Sequence, residues 1–329
     1  MKIAIVILNW NGKHLLERFL PSVVAHASGN DVYVADNASN DNSVDFVKTH
    51  FPNVKIIQHK DNFGYAKGYN QALISIDADV FCLMNSDVEV TENWLPPIVQ
   101  TFEEYPDTAI IQPKLLDFNH KDHFEYAGAA GGFLDRYGYP YCRGRIFDTL
   151  EKDQGQYDDV AKIFWASGAC LFIKKNIFDE LGGLDEAFFA HFEEIDLCWR
   201  AHNLGYETRY VGNSCIYHVG GATLKNTNPR KTYLNFRNSL YAITKNAYGN
   251  WWLLVFLRLV LDGAAALKFL FELKPSHFFA IIKAHFAYYS HLTKLLRQRK
   301  FSCQKAGYYQ IQSIVWAYFV KKKQQFDRL

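Results

Sequence analysis

The residues of this chain best suited to chemistry are polar and acidic side chains that follow buried apolar runs. The apolar run at residues 80–84 stops abruptly in Asn85, Ser86 and Asp87. A carboxylate and an amide at the mouth of a buried strand can hold a hard divalent cation that bridges phosphate oxygens. An ordinary turn, in which the three side chains satisfy backbone groups, explains the same residues. The segment is therefore compatible with a cation site and with a plain strand exit.

A second group of acids, Glu193, Glu194 and Asp196, stands in an aromatic stretch at residues 188–199. The acids are predicted to begin a helix, whose positive N-terminal end favours carboxylates. Capping accounts for one or two of them. Burial among aromatic side chains raises a carboxyl pKa and suits the group to proton transfer, so we predict acid–base chemistry here.

A nucleotide-binding function is suggested by Asp36 and by the glycine-containing stretch at residues 62–70. Asp36 ends a second apolar run and is placed to accept hydrogen bonds from a nucleobase or a ribose. Gly64, Ala66 and Gly68 allow the backbone to approach a nucleotide closely. Helix capping by Asp36 and ordinary turns at the glycines are equally compatible with the pattern.

The elements that must position these residues alternate between strand and helix. Buried β-branched runs predict strands at residues 3–8, 31–35, 54–58 and 80–84. Helical patterns between them cover residues 13–27, 43–50 and a stretch that ends near residue 76. This alternation predicts a parallel, doubly wound sheet. The polar strand ends then share one edge, where mononucleotide sites are built.

The second half of the pattern is less regular. It predicts a helix at residues 94–105, short strands at 109–112 and 170–173, a helix at 174–181, and a strand from about residue 208. Residues 126–159 show little periodicity and are predicted as a long, partly ordered loop over the site. The last strand ends at His218, and a lone histidine there is more often a surface or core residue than a metal ligand.

Composition excludes a disordered chain, since 49% of the 329 residues are hydrophobic. The formal net charge of +2 is unevenly divided: residues 1–229 sum to −12 and residues 230–329 to +14. Six cysteines without a Cys-x-x-Cys pair predict reduced thiols in a cytosolic protein, and residues 1–8 are too short for a signal peptide.

The basic C-terminal region predicts an interaction with an anionic surface. The apolar stretch at residues 251–272 is interrupted by Arg258, Asp262 and Lys268, which leaves no uncharged run of about 18 residues. Together with Glu272 these charges fall within an arc of about 120° on a helix, a pattern typical of interfacial helices. Residues 278–297 and 311–323 repeat it. We expect peripheral attachment to the inner face of the cell membrane, with packing on the catalytic domain or on a second subunit as the alternative.

Four segments, residues 5–12, 34–41, 62–70 and 83–90, together resemble the nucleotide-sugar-binding half of family 2 glycosyltransferases, in particular the bacterial rhamnosyltransferase-like branch. The resemblance implies a GT-A fold, which is α/β with a mixed, mainly parallel sheet and a Rossmann-like nucleotide-binding half. It places Asp36 on the nucleobase and Asp87 on a divalent cation, Mg²⁺ or Mn²⁺. Many relatives carry Asp-x-Asp where this chain has Asn85-Ser86-Asp87, which leaves one direct carboxylate ligand. The implied donor-binding residues are Asn9, Asn11, Asp36, Asn37, Asn62, Gly64, Lys67, Gly68, Asn70, Asn85 and Ser86.

The second half of the chain resembles later motifs of the same family. Residues 188–200 look like the Glu-Asp motif whose second acid is the catalytic base, here Glu194 where relatives usually carry Asp. Glu193 is the alternative base, and Asp196 is expected to orient the helix or an acceptor hydroxyl. The His-x-Gly-Gly context at residues 218–221 implies that His218 reaches the metal and the diphosphate.

Two more motifs bear on the acceptor and the diphosphate. The resemblance assigns a bend at residues 165–169 to this side of the site, with Trp165, Ser167, Gly168 and Ala169 as its members. Arg237, in a following family motif, suits a diphosphate or an acceptor phosphate because its donors form a fixed fork. An ion pair with the acids of the domain is the alternative for Arg237.

These observations predict a catalytic domain over residues 1–240, divided into a nucleotide-sugar half (1–115) and an acceptor half (116–240). Residues 241–329 are predicted as an amphipathic helical region that associates with the membrane. The expected reaction is metal-dependent, inverting transfer of a sugar from a nucleotide-diphosphate donor to a hydroxyl of a saccharide or polyprenyl-diphosphate-linked saccharide, in cell-surface polysaccharide synthesis. A non-catalytic nucleotide-sugar-binding or membrane-bound nucleic-acid-binding protein is the alternative, although the tail lacks the aromatic and basic pattern that nucleic-acid binding needs.

Overall fold

The structure is a computed structural model that describes residues 1–220, 228–300 and 304–329. Gly221, the second glycine of the predicted His-x-Gly-Gly motif, and Cys303 lie outside these residues. The five described cysteines are free thiols, four of them buried.

The first ninety residues form the predicted parallel sheet with its connecting helices. The elements are β1 (Ile3–Asn9), α1 (Lys13–Ala25), β2 (Asp31–Asp36), α2 (Ser43–His50), β3 (Lys55–Gln58), α3 (Gly64–Leu73) and β4 (Val80–Asn85). Strand β1 pairs in parallel with β2 on one side and with β4 on the other, and β2 pairs with β3. Nearly every residue of β1 and β4 is buried, because helices cover both faces of the sheet. The prediction of a parallel, doubly wound sheet is confirmed.

Later strands extend this sheet with mixed polarity. The elements are β5 (Val88–Val90), α4 (Pro96–Glu104), β6 (Thr108–Asp117), β7 (Gly132–Asp135), β8 (Pro140–Cys142), β9 (Arg145–Ile146), β10 (Thr149–Leu150), β11 (Val160–Ile163), β12 (Cys170–Lys174), α5 (Lys175–Glu180), α6 (Glu193–Asn203) and β13 (Glu207–His218). Among the described residues the order is β11-β13-β6-β12-β4-β1-β2-β3, and β5 pairs with β13. Because β12 is antiparallel to β4, its N-terminal end lies beside the carboxyl end of β4.

The prediction of a long loop over residues 126–159 is wrong. The segment contains β7 to β10, which form a second sheet with β14 (Tyr309–Ile311) in the order β10-β9-β8-β7-β14. Each of the four strands has only two to four residues, so no alternation accumulates that a sequence pattern could show. The predicted strand at residues 109–112 is likewise too short, since β6 has ten residues.

The C-terminal helices pack on the rest of the chain through part of their polar side. They are α7 (Pro229–Asn246), α8 (Trp251–Phe271) and α9 (Pro275–Lys300). Arg258 and Asp262, predicted to face lipid headgroups, are buried instead: Arg258 Nε donates to Asp262 Oδ1 at 2.7 Å, and its Nη1 to the carbonyl oxygen of Tyr137. The helical period placed the charges of α8 on one face, but two of them, Arg258 and Asp262, pack against the second sheet.

The remaining tail is not a third amphipathic helix. After β14, a short π-helical turn spans Trp316–Val320. Within the described ranges, no helix is sufficiently long and apolar to cross a bilayer.

Candidate active site

The end of β4 and the end of β13 bring Asp87 and His218 together. Strand β5 starts one residue after Asp87 and pairs antiparallel with β13, which places His218 opposite Val88. Nε2 of His218 lies 3.1 Å from Oδ1 of Asp87, and Asn85 Nδ2 lies 3.4 Å from the same nitrogen. The two predicted metal-site residues are therefore in direct contact, with Asn85 beside them.

A third side chain at this position, Glu125, was missed by sequence reasoning. Its Oε1 lies 3.3 Å from Nδ1 of His218, so that the imidazole stands between two carboxylates. Burial alone would lower the pKa of His218, but the charges of Glu125 and Asp87 outweigh it and raise the pKa to about 10. Burial opposes ionisation of Asp87, yet the pKa of this carboxyl is lowered by His218. The group is thus a buried imidazolium with two carboxylate partners.

The donor set at this position fits a divalent cation that is completed by phosphate oxygens. Asp87 supplies one ionised carboxylate, Asn85 an amide oxygen, and His218 an imidazole once its proton is displaced. One or two protein carboxylates suffice when a substrate diphosphate brings further oxygens. No group of three His, Cys, Asp or Glu side chains with metal-site geometry occurs in the part of the chain that the structure describes.

The carboxyl ends of β1 and β2 hold a buried polar pair. Asn9 Nδ2 donates to Asp36 Oδ1 at 3.0 Å, and the other oxygen of Asp36 accepts from the backbone N–H of Ser39. Both side chains are fully buried, and Oδ1 of Asn9 has no partner. The carboxylate of Asp36 thus holds the loop after β2 against β1, and the amide oxygen of Asn9 is a buried hydrogen-bond acceptor without a partner among the described residues.

The neighbouring predicted donor residues line the same edge. Asn37 Nδ2 donates to the carbonyl oxygen of Gly64, and a Cβ on Gly68 would lie 2.9 Å from that amide nitrogen. Such a distance is shorter than real Cβ contacts, so glycine is needed for α3 to approach the end of β2. The side chains of Asn11, Asn62 and Lys67 contact, respectively, the backbone of Asn40, the backbone of Gly64 and the ring of Phe63.

Glu193 and Glu194 begin α6; Glu193 is buried and Glu194 is half-buried, and each has one carboxyl oxygen that is shielded from solvent. Oε2 of each has no hydrogen-bond partner. Burial raises the pKa of Glu194 to about 7, although backbone N–H groups at the helix start partly offset the effect. Burial raises the pKa of Glu193 well above its usual range, and the neighbouring Glu194 raises it further. A pKa of about 7 suits Glu194 to act as a general base at neutral pH.

A short path of contacts joins the Asp87 turn to Glu194. The backbone N–H of Asn85 donates to the carbonyl oxygen of Ala169 at 2.9 Å, which fixes the bend before β12 beside the end of β4. A Cβ on the adjacent Gly168 would lie 3.8 Å from Cδ of Glu194 and 2.9 Å from the hydroxyl of Tyr65. That hydroxyl donates to the carbonyl oxygen of Gly168. The predicted cation-site residues and the candidate base therefore stand on either side of one bend.

The turn that precedes α6 is strained and held from outside. Phe189, His191 and Phe192 all have positive φ, between 66° and 73°, which costs non-glycine residues free energy. Asn238 Nδ2 lies 2.7 to 3.0 Å from the carbonyl oxygens of Phe188, Ala190 and His191. The interior of α7 thus fixes the backbone that carries the two glutamates.

Five predicted site residues bond to structural partners. The side chain of Asn70 pairs with both backbone groups of Leu184, and Trp165 Nε1 donates to the carbonyl oxygen of Phe133. Asp196 is buried, and its carboxylate contacts the side chains of Arg200, Lys245 and Asn246. Arg237 donates to the backbone of Ala187 and Phe188, so its fork supports the turn before α6. Ser167 Oγ accepts from the N–H of Ala169 and shapes the bend.

A mixed sheet whose parallel strands carry these polar ends is the architecture of GT-A glycosyltransferases. Residues 4–182 match the family described as Glycosyl transferase family 2. The chain belongs to that family and is an enzyme, a glycosyltransferase of polysaccharide or glycan synthesis. The non-catalytic alternative is thereby set aside.

Relatives support this assignment over most of the chain. It is 25% identical over 277 residues to an N-acetylglucosaminyl-diphospho-decaprenol L-rhamnosyltransferase of Mycobacterium tuberculosis, covering 78% of this chain and 88% of that protein. It is 21% identical over 248 residues to the low-salt glycan biosynthesis hexosyltransferase Agl10 of Haloferax volcanii, covering 73% and 75%. The rhamnosyltransferase-like branch predicted from the motifs is confirmed.

Solved structures show the same fold at lower identity. GalNAc-T7 with UDP, GalNAc and Mn²⁺ superposes with a TM-score of 0.61 at 14% identity, over 89% of this chain and 57% of that one. The mannosyltransferase PcManGT of Pyrobaculum calidifontis, in complex with GDP-Man and Mn²⁺, has a TM-score of 0.54 at 11% identity, over 88% and 87%. The predicted GT-A fold is confirmed by these likenesses.

Proposed function

We propose that this enzyme transfers a sugar from a nucleotide-diphosphate donor to a hydroxyl of a saccharide acceptor, with Glu194 as the base. The observation that carries the proposal is the position of Glu194 against Gly168, whose neighbour Ala169 is bonded to the end of β4. Its carboxyl has a pKa of about 7, so it is half ionised at neutral pH and can accept a proton. Attack by the deprotonating hydroxyl displaces the nucleoside diphosphate in a single step, which inverts the sugar carbon.

The leaving diphosphate is the second requirement of the reaction, and Asp87 and His218 serve it. A divalent cation held by Asp87, Asn85 and the diphosphate oxygens would neutralise the charge that develops on the leaving group. Glu125 holds His218 at its Nδ1 side and so keeps the Nε2 side directed at Asp87. Asn9 and Asp36 position the nucleoside at the ends of β1 and β2.

A lipid-linked acceptor suits both the relatives and the surface of the chain. The similar Mycobacterium protein is named for a diphospho-decaprenol acceptor, and we propose that this enzyme takes a polyprenyl-diphosphate-linked saccharide. Such an acceptor resides in a membrane, so the enzyme must work at a bilayer surface. We place it on the cytoplasmic face, where nucleotide sugars are available.

Helices α8 and α9 present an apolar surface that fits this location. Exposed aromatic and aliphatic side chains recur every three, four or seven residues, which puts them on one side of each helix. This α8–α9 apolar face consists of Trp252, Phe256, Val260, Leu267, Phe271, Phe279, Phe286 and Tyr289, each more than half exposed. Exposed Lys283, Lys294 and Arg297 on α9 add attraction to anionic headgroups. We propose that residues 241–329 dock on the membrane through this face and that residues 1–240 perform catalysis.

The proposal is tested by a donor screen on the full-length enzyme. Nucleotide sugars are offered singly, with Mg²⁺, Mn²⁺ or EDTA, to a short-chain polyprenyl-diphosphate N-acetylhexosamine, and products are followed by mass spectrometry. We expect transfer with one nucleotide sugar, abolished by EDTA, and NMR of the product should show an inverted anomeric centre. A retained anomeric configuration refutes the single displacement, and undiminished transfer in EDTA refutes the metal.

A further inference from the structure

Arg145, in β9 of the second sheet, is a buried cation whose partners do not account for its charge. The residue is only 7% exposed. No carboxylate of the described residues lies within ion-pair distance of its guanidinium, and its Nε has no hydrogen-bond partner. Its contacts are Cys142 Sγ at 3.3 Å from Nη2 and the ring of Tyr126 at 4.7 Å.

The neighbouring Arg143 is an arginine with a structural role and serves as a comparison. It is equally buried, at 7% exposure, but its Nη2 donates to both oxygens of Asp159 at 2.8 and 3.0 Å. An unpaired buried charge is costly, so proteins pair such groups or use them to bind ligands. Glu125 lies close enough to favour the charge of Arg145, yet its carboxylate already contacts Nδ1 of His218.

Lys231 adds a second positive charge near the ring of Tyr126. Its Nζ lies 5.8 Å from the ring of Tyr126, and it stands in the first turn of α7. Burial lowers the pKa of Lys231, and the nearby charge of Arg145 lowers it further against the opposing effect of Glu125. Burial and the charge of Lys231 also hold the pKa of His191 at about 4. Lys231 therefore lies between the second sheet and the turn that carries the catalytic glutamates.

The two cations occupy a defined place in the site. On one side they adjoin Glu125, which contacts His218 and, through it, Asp87. On the other side Lys231 adjoins His191, two residues before Glu193. An anion held here would sit between the leaving diphosphate and the base, on the acceptor side.

We propose that Arg145 and Lys231 form a subsite for a phosphate or diphosphate group of a substrate, beside the ring of Tyr126 that both cations approach. The inference rests on the proposed transferase function, and it names the part of the substrate that the second sheet recognises. Arginine offers a planar fork that matches phosphate oxygens, and lysine supplies a mobile point charge. The anion can belong to a lipid-linked acceptor or to the nucleotide donor, since both contain a diphosphate.

The test compares the binding of two diphosphates to the full-length protein and its Arg145→Gln and Lys231→Gln variants. Farnesyl diphosphate represents the acceptor, and the nucleoside diphosphate that binds the native protein most tightly represents the donor; both are titrated by calorimetry. We expect each variant to bind farnesyl diphosphate at least about tenfold more weakly, with nucleoside-diphosphate affinity unchanged. A tenfold loss for the nucleoside diphosphate assigns the subsite to the donor instead. Affinities within twofold of the native protein for both probes overturn the proposal.

Matched variants separate anion binding from folding. Arg143→Gln removes an equally buried arginine that has a carboxylate partner, so it should lower the melting temperature and leave both affinities unchanged. Arg145→Lys keeps the positive charge and should retain more affinity than Arg145→Gln. If Arg145→Gln does not fold, Lys231→Gln, on a more exposed residue, carries the test. Transfer is assayed separately, so an active enzyme whose variants bind both diphosphates normally refutes the subsite and leaves the proposed function intact.

Discussion

Nε2 of His218 lies 3.1 Å from Oδ1 of Asp87, and the two residues are only 4% and 5% exposed. They are 131 residues apart in the chain and meet because β13 pairs with β5, which follows Asp87 directly. The contact keeps the pKa of Asp87 low despite burial, so the carboxylate is ionised where a diphosphate would leave.

Asp87→Asn should reduce kcat/KM by at least about a hundredfold, because the amide cannot neutralise the leaving diphosphate as a carboxylate-bound cation does. The steady-state rate of transfer is measured at several Mn²⁺ concentrations. Asp77→Asn, at an exposed acid on the amino-terminal side of β4, is the control and should behave as the native enzyme. A native rate in Asp87→Asn would show that this carboxylate takes no part in the reaction.

Glu194→Gln should lower kcat by about a hundred- to ten-thousandfold while the affinity for the donor stays unchanged, because the amide keeps the shape but cannot accept a proton. Single-turnover transfer and calorimetric donor binding are measured on the same preparation. Glu193→Gln is the matched comparison, since burial and the neighbouring Glu194 raise the pKa of Glu193 and favour its protonated form. If Glu193→Gln loses transfer and Glu194→Gln keeps it, the base is Glu193.

The pH dependence of transfer should report the ionisation of Glu194. The base acts when ionised, and burial raises its pKa from 4.5 to about 7, so kcat/KM should fall about tenfold per pH unit below pH 7. The same shift favours the protonated form in the folded state, so native stability falls as pH rises from about 4.5 to 7. Glu194→Gln should therefore be up to about 3 kcal/mol more stable than the native enzyme at pH 8, and equal to it at pH 4.5.

Both quantities are measured between pH 4.5 and 8.5, the rate with a fixed donor and the stability by urea unfolding. A rate that is flat down to pH 5.5 would exclude a base with this pKa. Equal stabilities of the native enzyme and Glu194→Gln at pH 8 would show that ionisation of Glu194 does not destabilise the fold.

The part of the site that the sequence predicted depends on local patterns. Asn9, Asp36 and Asp87 each follow a buried apolar run, and parallel strands bring their carboxyl ends to one edge whatever their order. Strand polarity alone therefore placed these residues together. Glycine at position 168 was found as part of a motif, and the structure gives its reason in the close approach of the Tyr65 hydroxyl.

The part that was missed depends on contacts between distant segments. Glu125 lies in a stretch without periodicity, and it reaches His218 because Glu125 bonds to β6, which runs beside β13. Arg258 and Asp262 fit an exposed polar stripe by helical period, but the second sheet, which the sequence did not show, buries them. A periodicity shows which face of a helix is polar and leaves open what covers that face.

Asn238→Ala should disturb the base through the turn that precedes it. It would leave the carbonyl oxygens of Phe188, Ala190 and His191 without their shared donor, at a cost of about 2 kcal/mol or more in stability. Because three residues of this turn hold positive φ, the released turn should relax and move Glu194, so kcat should fall more than the donor KM rises.

Ser239→Ala is the control for this effect, since the buried Ser239 hydroxyl donates only within its own helix, to Phe236. It should cost less than about 1 kcal/mol and leave kcat unchanged. Urea unfolding and initial rates are compared for both variants. An Asn238→Ala enzyme that is destabilised but has native kcat would confine Asn238 to a structural role.

Membrane docking through the α8–α9 apolar face makes a prediction about salt. Binding to vesicles that contain anionic lipid should weaken between low and moderate salt, because the charges of the basic residues of α9 are screened. It should nevertheless persist, because the burial of apolar area is not screened.

Phe256 and Phe286 are 58% and 73% exposed and lie on different helices of this face. The double variant Phe256→Ser, Phe286→Ser should lose at least about tenfold in vesicle affinity, measured by flotation with full-length protein. Ile74→Ser, at a 75% exposed position at the end of α3, is the matched control and should float as the native protein does. A native protein that stays in solution with these vesicles at both salt concentrations would contradict membrane docking. Dimers of the native protein that the double variant abolishes would show that this face binds a second subunit.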